Sequence, residues 1–152
     1  MEFLKLSNNN NASGDRMASS GKQDGPKSDL SNLKGVHVLV VEDTWHVAKA
    51  LKSALELVGM RVSGPAATTA DAKRLVAAQV PAVAVVDVNL KREMACGLID
   101  DLHEQGVRVV VVSGYAVPPV SVDKVAAILQ KPFSATELLT ALQAVVGKSR
   151  LH

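Results

Sequence analysis

The chain has 152 residues, of which 47% are hydrophobic and 3% are aromatic. This length allows one well-covered domain and little else, and the apolar content excludes a wholly disordered protein. There are 17 basic and 15 acidic residues, a formal net charge of +2, and the basic residues are scattered along the chain. We therefore expect no direct nucleic-acid partner. No apolar run approaches the roughly 20 residues of a membrane span, so we expect no membrane association and a cytoplasmic location.

The first part of the chain, residues 1–34, is predicted to be a disordered tail. It contains the run Asn8–Asn11 and is otherwise rich in Ser, Gly, Asp and Lys. So few apolar residues cannot offset the entropy that ordering would cost. Met17 is a candidate natural start, which would make residues 1–16 an expression remnant, and a native tail is the open alternative. The folded domain is placed at residues 35–148.

Beyond the tail, apolar runs of strand length alternate with segments whose apolar residues recur at helical spacing. The predicted strands are 36–41, 61–66, 82–87, 107–112 and 127–130. The predicted helices are 47–58, 69–79, 98–105, a short one at 118–126, and a last one that Ser134 caps and that runs through 146. Five strands alternating with five helices predict an α/β fold, a doubly wound parallel sheet with helices on both faces.

Polar side chains follow the ends of the predicted strands. Glu42 and Asp43 follow the first strand, and Asp87 closes the third. Ser113 follows the fourth strand and Lys131 the fifth. In a doubly wound sheet these groups converge on one crevice, where three carboxylates repel one another unless a cation joins them.

The chemistry of these groups favours phosphoryl transfer. All-oxygen ligands in a shallow site that keeps several waters favour Mg2+. Asp87 ends a central strand and is the best candidate to accept a phosphoryl group, whereas Glu42 and Asp43 are better placed as metal ligands. The Lys131 ammonium can neutralise charge on the phosphoryl oxygens, and the Ser113 hydroxyl can donate a hydrogen bond to one of them.

Four blocks of the sequence resemble the signature blocks of response-regulator receiver domains from two-component systems. The blocks are Val40-Val41-Glu42-Asp43, Val85-Val86-Asp87-Val88-Asn89, Val112-Ser113-Gly114 and Lys131-Pro132-Phe133. They occur in the family's order and spacing, and the similarity spans about residues 35–147. The resemblance, to a single-domain receiver similar to the chemotaxis regulator, implies the flavodoxin-like strand order 2-1-3-4-5.

The resemblance also implies a role for each site residue. Asp87 would be phosphorylated, Lys131 would be the counter-ion of the phosphate, and Ser113 would be the switch hydroxyl. Lys131-Pro132 would be a cis peptide bond. The implied ligands of Mg2+ are three carboxylates and one backbone carbonyl: Glu42, Asp43, Asp87 and Asn89.

The chain departs from the family at two positions, and we also expect no second domain after it, so that any output would come from the receiver itself. Ile128 stands where the family has an aromatic residue. Ala95 stands where a glycine is usual, and the nearest glycine is Gly97, two residues later. The second departure predicts an insertion in the loop of residues 91–96. Because Ile128 is a poor substitute for the aromatic switch, we expect Tyr115 and its loop to move on phosphorylation.

The expected partners are a histidine kinase or histidine phosphotransfer protein as donor and an unknown downstream protein. Phosphorylation is expected to alter the surface of the fourth helix, fifth strand and fifth helix of a monomer or weak dimer. We expect the protein to assist its own phosphorylation and dephosphorylation and not to be an enzyme otherwise. A phosphate sink and a phosphohydrolase with an aspartate nucleophile are alternatives, although such hydrolases carry Asp-x-Asp where this chain has Glu42-Asp43-Thr44. Glu42 and Asp43 could also simply cap the helix that follows.

Overall fold

The structure, a computed structural model, describes residues 30–91, 93–114 and 122–150. Seven strands lie in this part of the chain: β1 (His37–Val41), β2 (Arg61–Ala66), β3 (Val83–Asp87), β4 (Asn89–Leu90), β5 (Glu93–Met94), β6 (Arg108–Ser113) and β7 (Ala127–Gln130). Four α-helices accompany them: α1 (Trp45–Leu57), α2 (Thr69–Ala78), α3 (Cys96–Glu104) and α4 (Ala135–Arg150).

Five of the strands form one parallel sheet in the order β2-β1-β3-β6-β7. Counted without the small β4–β5 hairpin, this is the order 2-1-3-4-5, and the predicted fold class is confirmed. β1 and β3 are buried along their whole length. The apolar runs within them, residues 38–41 and 83–86, are therefore explained by burial on both faces of the sheet.

The core consists of two layers, one on each face of the sheet. Val38 and Val40 of β1 pack in the layer that contains Leu51 of α1 and Leu138 of α4. The alternate β1 residues, including Leu39, pack in the layer formed with α2 and α3. This alternation is the period of two that a strand imposes on its side chains.

Local sequence signals set the ends of several helices. Gly59 has a φ of +89° just after α1, a conformation that other residues rarely adopt. The Thr68 side chain accepts a hydrogen bond from the Asp71 N–H at 3.1 Å and caps α2. Ser134 and Glu137 form a reciprocal capping box at the start of α4, with distances of 2.8 and 3.0 Å. The prediction that Ser134 caps the last helix is confirmed.

The predicted boundary of the tail at residue 34 is wrong by a few residues. Ser31–Leu33 form a 3-10 turn that contacts α4, and the Leu33 side chain is fully buried. The stretch has only two leucines, Leu30 and Leu33, which are too few to establish a periodicity, so the burial of Leu33 could not be deduced from the sequence. The rest of the predicted tail, residues 1–29, lies outside the described residues.

The connection between β6 and β7 also differs from the prediction where the structure describes it. The sequence predicts a helix at 118–126, but the described part contains the 3-10 turn Val122–Lys124. The beginning of that predicted helix, with the rest of residues 115–121, is not among the described residues. None of the described helices combines the length and apolarity needed to cross a membrane.

The burial of Leu33 leads to a stability prediction. We expect Leu33→Ala to lower the free energy of unfolding by about 2–5 kcal/mol, because it removes a buried side chain and leaves a cavity. Leu57→Ala is the matched control, since Leu57 is 81% exposed, and we expect its effect to stay within about 0.5 kcal/mol. Urea denaturation followed by circular dichroism measures both. Equal losses for the two variants would contradict a structural role of the turn.

Candidate functional site

The predicted site residues lie at the carboxyl edge of the sheet. Glu42 directly follows β1, Asp87 ends β3, and Lys131 directly follows β7. β3 lies at the centre of the sheet, so its end is held by a neighbouring strand on each side. Among the buried residues with polar side chains are Glu42, Asp87 and Ser113, which are 2%, 5% and 0% exposed. Burial of several polar groups at one edge is unusual, because each needs a partner, and it marks this edge as the candidate site.

Lys131 joins two of the three carboxylates. Its ammonium Nζ lies 2.9 Å from Asp87 Oδ2 and 3.6 Å from Glu42 Oε1. The other Asp87 oxygen, Oδ1, accepts a hydrogen bond from the Asn89 N–H at 2.9 Å. The Asp87 carboxylate is therefore held at both oxygens.

Backbone donors hold the other two carboxylates. Glu42 Oε2 accepts from the Thr44 N–H at 3.0 Å, just before α1 begins. This contact stabilises the turn into α1, but the N–H that donates to Glu42 belongs to Thr44, which precedes the helix, so Glu42 caps no N–H within the helix itself. Asp43 is oriented differently, because its Oδ2 accepts a hydrogen bond from the Lys91 N–H in the β4–β5 hairpin.

The three acids lie close enough to share one cation. Glu42, Asp43 and Asp87 each offer a carboxylate oxygen, and these oxygens all lie within 4.8 Å of one another. Three carboxylates face one ammonium, so the group retains excess negative charge. An all-oxygen donor set with this charge fits a hard divalent ion such as Mg2+.

The electrostatics of the site shift two pKa values. Burial raises the pKa of Glu42, and the charge of Asp87 adds to this, although the Thr44 N–H and the charge of Lys131 oppose it. Burial works against the charged form of Lys131, but its hydrogen bond to Asp87 and the charges of Glu42 and Asp87 outweigh that effect, so its pKa is raised. Lys131 therefore stays cationic at neutral pH.

Ser113 and Ile128, two of the remaining predicted residues, lie in the described part of the chain. Ser113 ends β6, one residue beyond Val112, which is in register with Asp87. Ile128 lies on the edge strand β7 and is 37% exposed. Lys131-Pro132 is a cis peptide bond, as the family resemblance implied. Tyr115 lies outside the described residues, so its predicted movement has no structural counterpart here.

A surface cavity of about 390 Å³ opens beside the acids, lined by Glu42, Asp43 and Trp45 among others. The Trp45 ring is 71% exposed, and Lys49 Nζ lies 4.9 Å from its centroid. Trp45 therefore shares a cavity wall with two of the carboxylates. The contact with Lys49 follows from their spacing of four residues on α1.

Sequence reasoning missed the hairpin that borders the site. β4 and β5 pair antiparallel, with Asn89 opposite Met94 and Leu90 opposite Glu93. Strands of two residues give no periodic signal. The one signal in the sequence was that Ala95 stands where the family usually has a glycine, while this chain has its glycine at Gly97. This difference indicated that the loop departs from the family pattern.

Comparison with known families agrees with this geometry. Residues 38–143 match the response regulator receiver domain family. The match spans most of the chain and includes the ends of β1, β3, β6 and β7, where the predicted site residues lie. The chain therefore belongs to the response regulator receiver domain family.

An individual relative supports the same family assignment. The C4-dicarboxylate transport transcriptional regulatory protein DctD of Pseudomonas aeruginosa is 31% identical over 123 residues, which is 75% of this chain and 26% of that protein. The chain thus spans about a quarter of the length of this relative.

Solved structures share the fold. A CheY-like receiver domain protein from Methanospirillum hungatei superimposes with a TM-score of 0.71 at 22% identity, covering 77% of this chain and 98% of that one. A response regulator from Burkholderia pseudomallei, solved with a phosphorylated aspartic acid, calcium ion and citrate, gives a TM-score of 0.65 at 26% identity, covering 76% and 71%.

The raised pKa of Glu42 leads to a prediction for the metal-free protein. A carboxyl whose pKa is higher in the folded state than in the unfolded state destabilises the fold when it is ionised. We expect Glu42→Gln to raise the thermal unfolding midpoint in EDTA at neutral pH. The gain should shrink as the pH falls through the raised pKa of Glu42 and vanish below the ordinary pKa of a glutamate. Thermal scans of both proteins across this pH range measure it, and a gain independent of pH would contradict the prediction.

Proposed function

We propose that the chain is a Mg2+-dependent phospho-accepting switch and that Asp87 is the residue that becomes phosphorylated. The observation that carries this proposal is the contact of the Lys131 ammonium with Asp87 inside a cluster of three carboxylates. The family to which the chain belongs is a regulatory phospho-acceptor family, which supports the same conclusion. The proposed donors are a histidine kinase or a histidine phosphotransfer protein, in the cytoplasm.

The proposed reaction uses the geometry of the Asp87 carboxylate. One of its oxygens attacks the phosphorus of a phosphohistidine, and the bond from phosphorus to the imidazole nitrogen breaks. Lys131 is positioned to neutralise charge on the transferred phosphoryl group, because its Nζ already lies 2.9 Å from Asp87. The Asn89 N–H, bonded to Asp87 Oδ1, keeps the carboxylate in one orientation.

The proposed metal ligands are Glu42, Asp43, Asp87 and the backbone carbonyl of Asn89. Bound Mg2+ would neutralise the excess charge of the acids and favour the approach of an anionic phosphoryl group. The phosphorylated aspartic acid and calcium ion of the Burkholderia pseudomallei response regulator support an acceptor next to a divalent ion.

The proposed output surface is formed by residues 122–124, β7 and α4. The Lys131 N–H donates to the Ser113 carbonyl at 2.8 Å, so the end of β6 is bonded directly to the connection that follows β7. We propose that the Ser113 hydroxyl moves toward the phosphate and that Tyr115, in place of the weak switch residue Ile128, responds to this movement. A change at Asp87 would then reach a surface where a partner protein can bind. Coupling of about 1–3 kcal/mol would suffice.

The assignment of the acceptor is tested by Asp87→Asn. We expect a small phosphodonor such as acetyl phosphate to modify the native protein in the presence of Mg2+ and to leave Asp87→Asn unmodified. Asp101→Asn is the matched control, since Asp101 lies on α3 in an ion pair with Lys73, and it should be modified like the native protein. Intact-mass spectrometry measures the product. Undiminished modification of Asp87→Asn would refute the assignment.

The metal assignment is tested by Asp43→Ala. We expect this variant to lose Mg2+ binding, because it removes one of three carboxylates from the cluster. Titration with Mg2+ followed by Trp45 fluorescence measures binding, since Trp45 lines the same cavity. Asp123→Ala is the control, because Asp123 precedes the amino end of β7, whereas the acids lie at the carboxyl ends of the strands. The assignment fails if Asp43→Ala titrates like the native protein.

A further inference from the structure

We propose that Glu93 is a positioning residue that holds the β4–β5 hairpin against the acidic cluster and so keeps the metal ligands in place before any ion binds. The inference rests on the proposed function, because it concerns the Mg2+ site of the phospho-acceptor. It assigns a role to a side chain that lies outside the four signature blocks.

Glu93 makes two hydrogen bonds to one residue far away in the sequence. Its Oε2 accepts from the Thr69 N–H at 2.9 Å, and its Oε1 accepts from the Thr69 hydroxyl at 2.9 Å. Thr69 is the first residue of α2, where backbone N–H groups have no partner within the helix. The carboxylate therefore satisfies the N–H of the first residue of the helix, and its charge is favourable at that end of the helix.

The hairpin needs such an anchor because it is very short. Its strands contribute two residues each, and isolated two-stranded hairpins are marginally stable at best. Its ends are fixed by the Asn89 N–H on Asp87 Oδ1 at 2.9 Å and by the Ala95 N–H on the Val88 carbonyl at 3.0 Å. Glu93 fixes the far part of the hairpin, where it is paired with Leu90 next to the turn.

The hairpin in turn contacts the candidate metal ligands. The Lys91 N–H donates to Asp43 Oδ2, and Asn89, the source of the proposed carbonyl ligand, begins β4. Lys91 directly follows Leu90, the residue paired with Glu93. Releasing Glu93 from Thr69 would therefore free the turn that orients Asp43. Outer partners that orient ligands in this way influence metal affinity strongly.

Three variants separate positioning from simple stabilisation. Glu93→Ala removes both contacts to Thr69. Glu93→Gln keeps them, because the amide oxygen can accept from the N–H and the amide nitrogen can donate to the hydroxyl. Thr69→Val removes the hydroxyl contact and leaves the backbone contact. Asp101→Ala is the control, since it removes a different contact of α2, the ion pair with Lys73 at 3.3 Å.

The measurements are Mg2+ titration by Trp45 fluorescence, hydrogen exchange of the residue 89–95 amides in Mg2+-free protein, and the Mg2+ dependence of phosphorylation by acetyl phosphate. We expect Glu93→Ala to raise the half-saturating Mg2+ concentration about tenfold and to speed exchange in the hairpin. The phosphorylation rate at saturating Mg2+ should change little. Thr69→Val should shift the titration in the same direction but less, and Glu93→Gln and Asp101→Ala should behave like the native protein.

The outcomes distinguish this inference from the proposed function. If the native protein shows no Mg2+-dependent phosphorylation that requires Asp87, the proposed function fails. If it does, but Glu93→Ala lowers the unfolding midpoint and leaves the half-saturating Mg2+ concentration unchanged, Glu93 is structural and the inference is overturned. A loss of affinity in Glu93→Gln equal to that in Glu93→Ala would overturn it as well. If Glu93→Ala fails to fold, Thr69→Val decides, and a native titration for that variant refutes the positioning role.

Discussion

The ion pair between Lys131 and Asp87 is the contact on which the site depends. Asp87 is 5% exposed and Glu42 is 2% exposed, so both carboxylates are largely removed from water. Burial of two such charges side by side is costly unless a cation faces them. The Lys131 ammonium lies within 4 Å of both and lowers that cost, but it cannot balance three acids. The remaining negative charge is the basis of the proposed binding of a divalent ion at this edge of the sheet.

The arrangement of the strands makes this concentration of charge possible. Asp87 ends β3, which is in register with β1 on one side and with β6 on the other. The valines on these strands fill both layers of the core, so the strand ends are fixed by close packing on either face. A polar group at the end of such a strand has little freedom to relax away from its neighbours. The fold therefore keeps the carboxylates close together, and a bound cation would relieve the repulsion between them.

The parts of the site that the sequence predicts are those attached to long periodic elements. Asp87 and Glu42 could be assigned because each ends or follows an apolar run whose strand character is unmistakable. Leu33 and Glu93 could not, because the partners of each lie in elements distant in the sequence and neither stands in a periodic segment. Contacts of this kind depend on how elements pack, and a single sequence carries no direct record of packing. The fold and the acids were thus predictable, whereas the supports around the acids were not.

The capping box at the start of α4 has a consequence for Lys131. Three residues separate the end of β7 from Ser134, whose backbone and side chain are both bonded to Glu137. At the other end of this short connection the Lys131 N–H is bonded to Ser113. Hydrogen bonds thus hold the backbone of Lys131 and the start of the helix that follows it. The lysine ammonium can follow a new charge through its own flexible methylene chain, whereas a larger displacement of its backbone would have to break the bond to Ser113 or move the edge strand and the last helix as well.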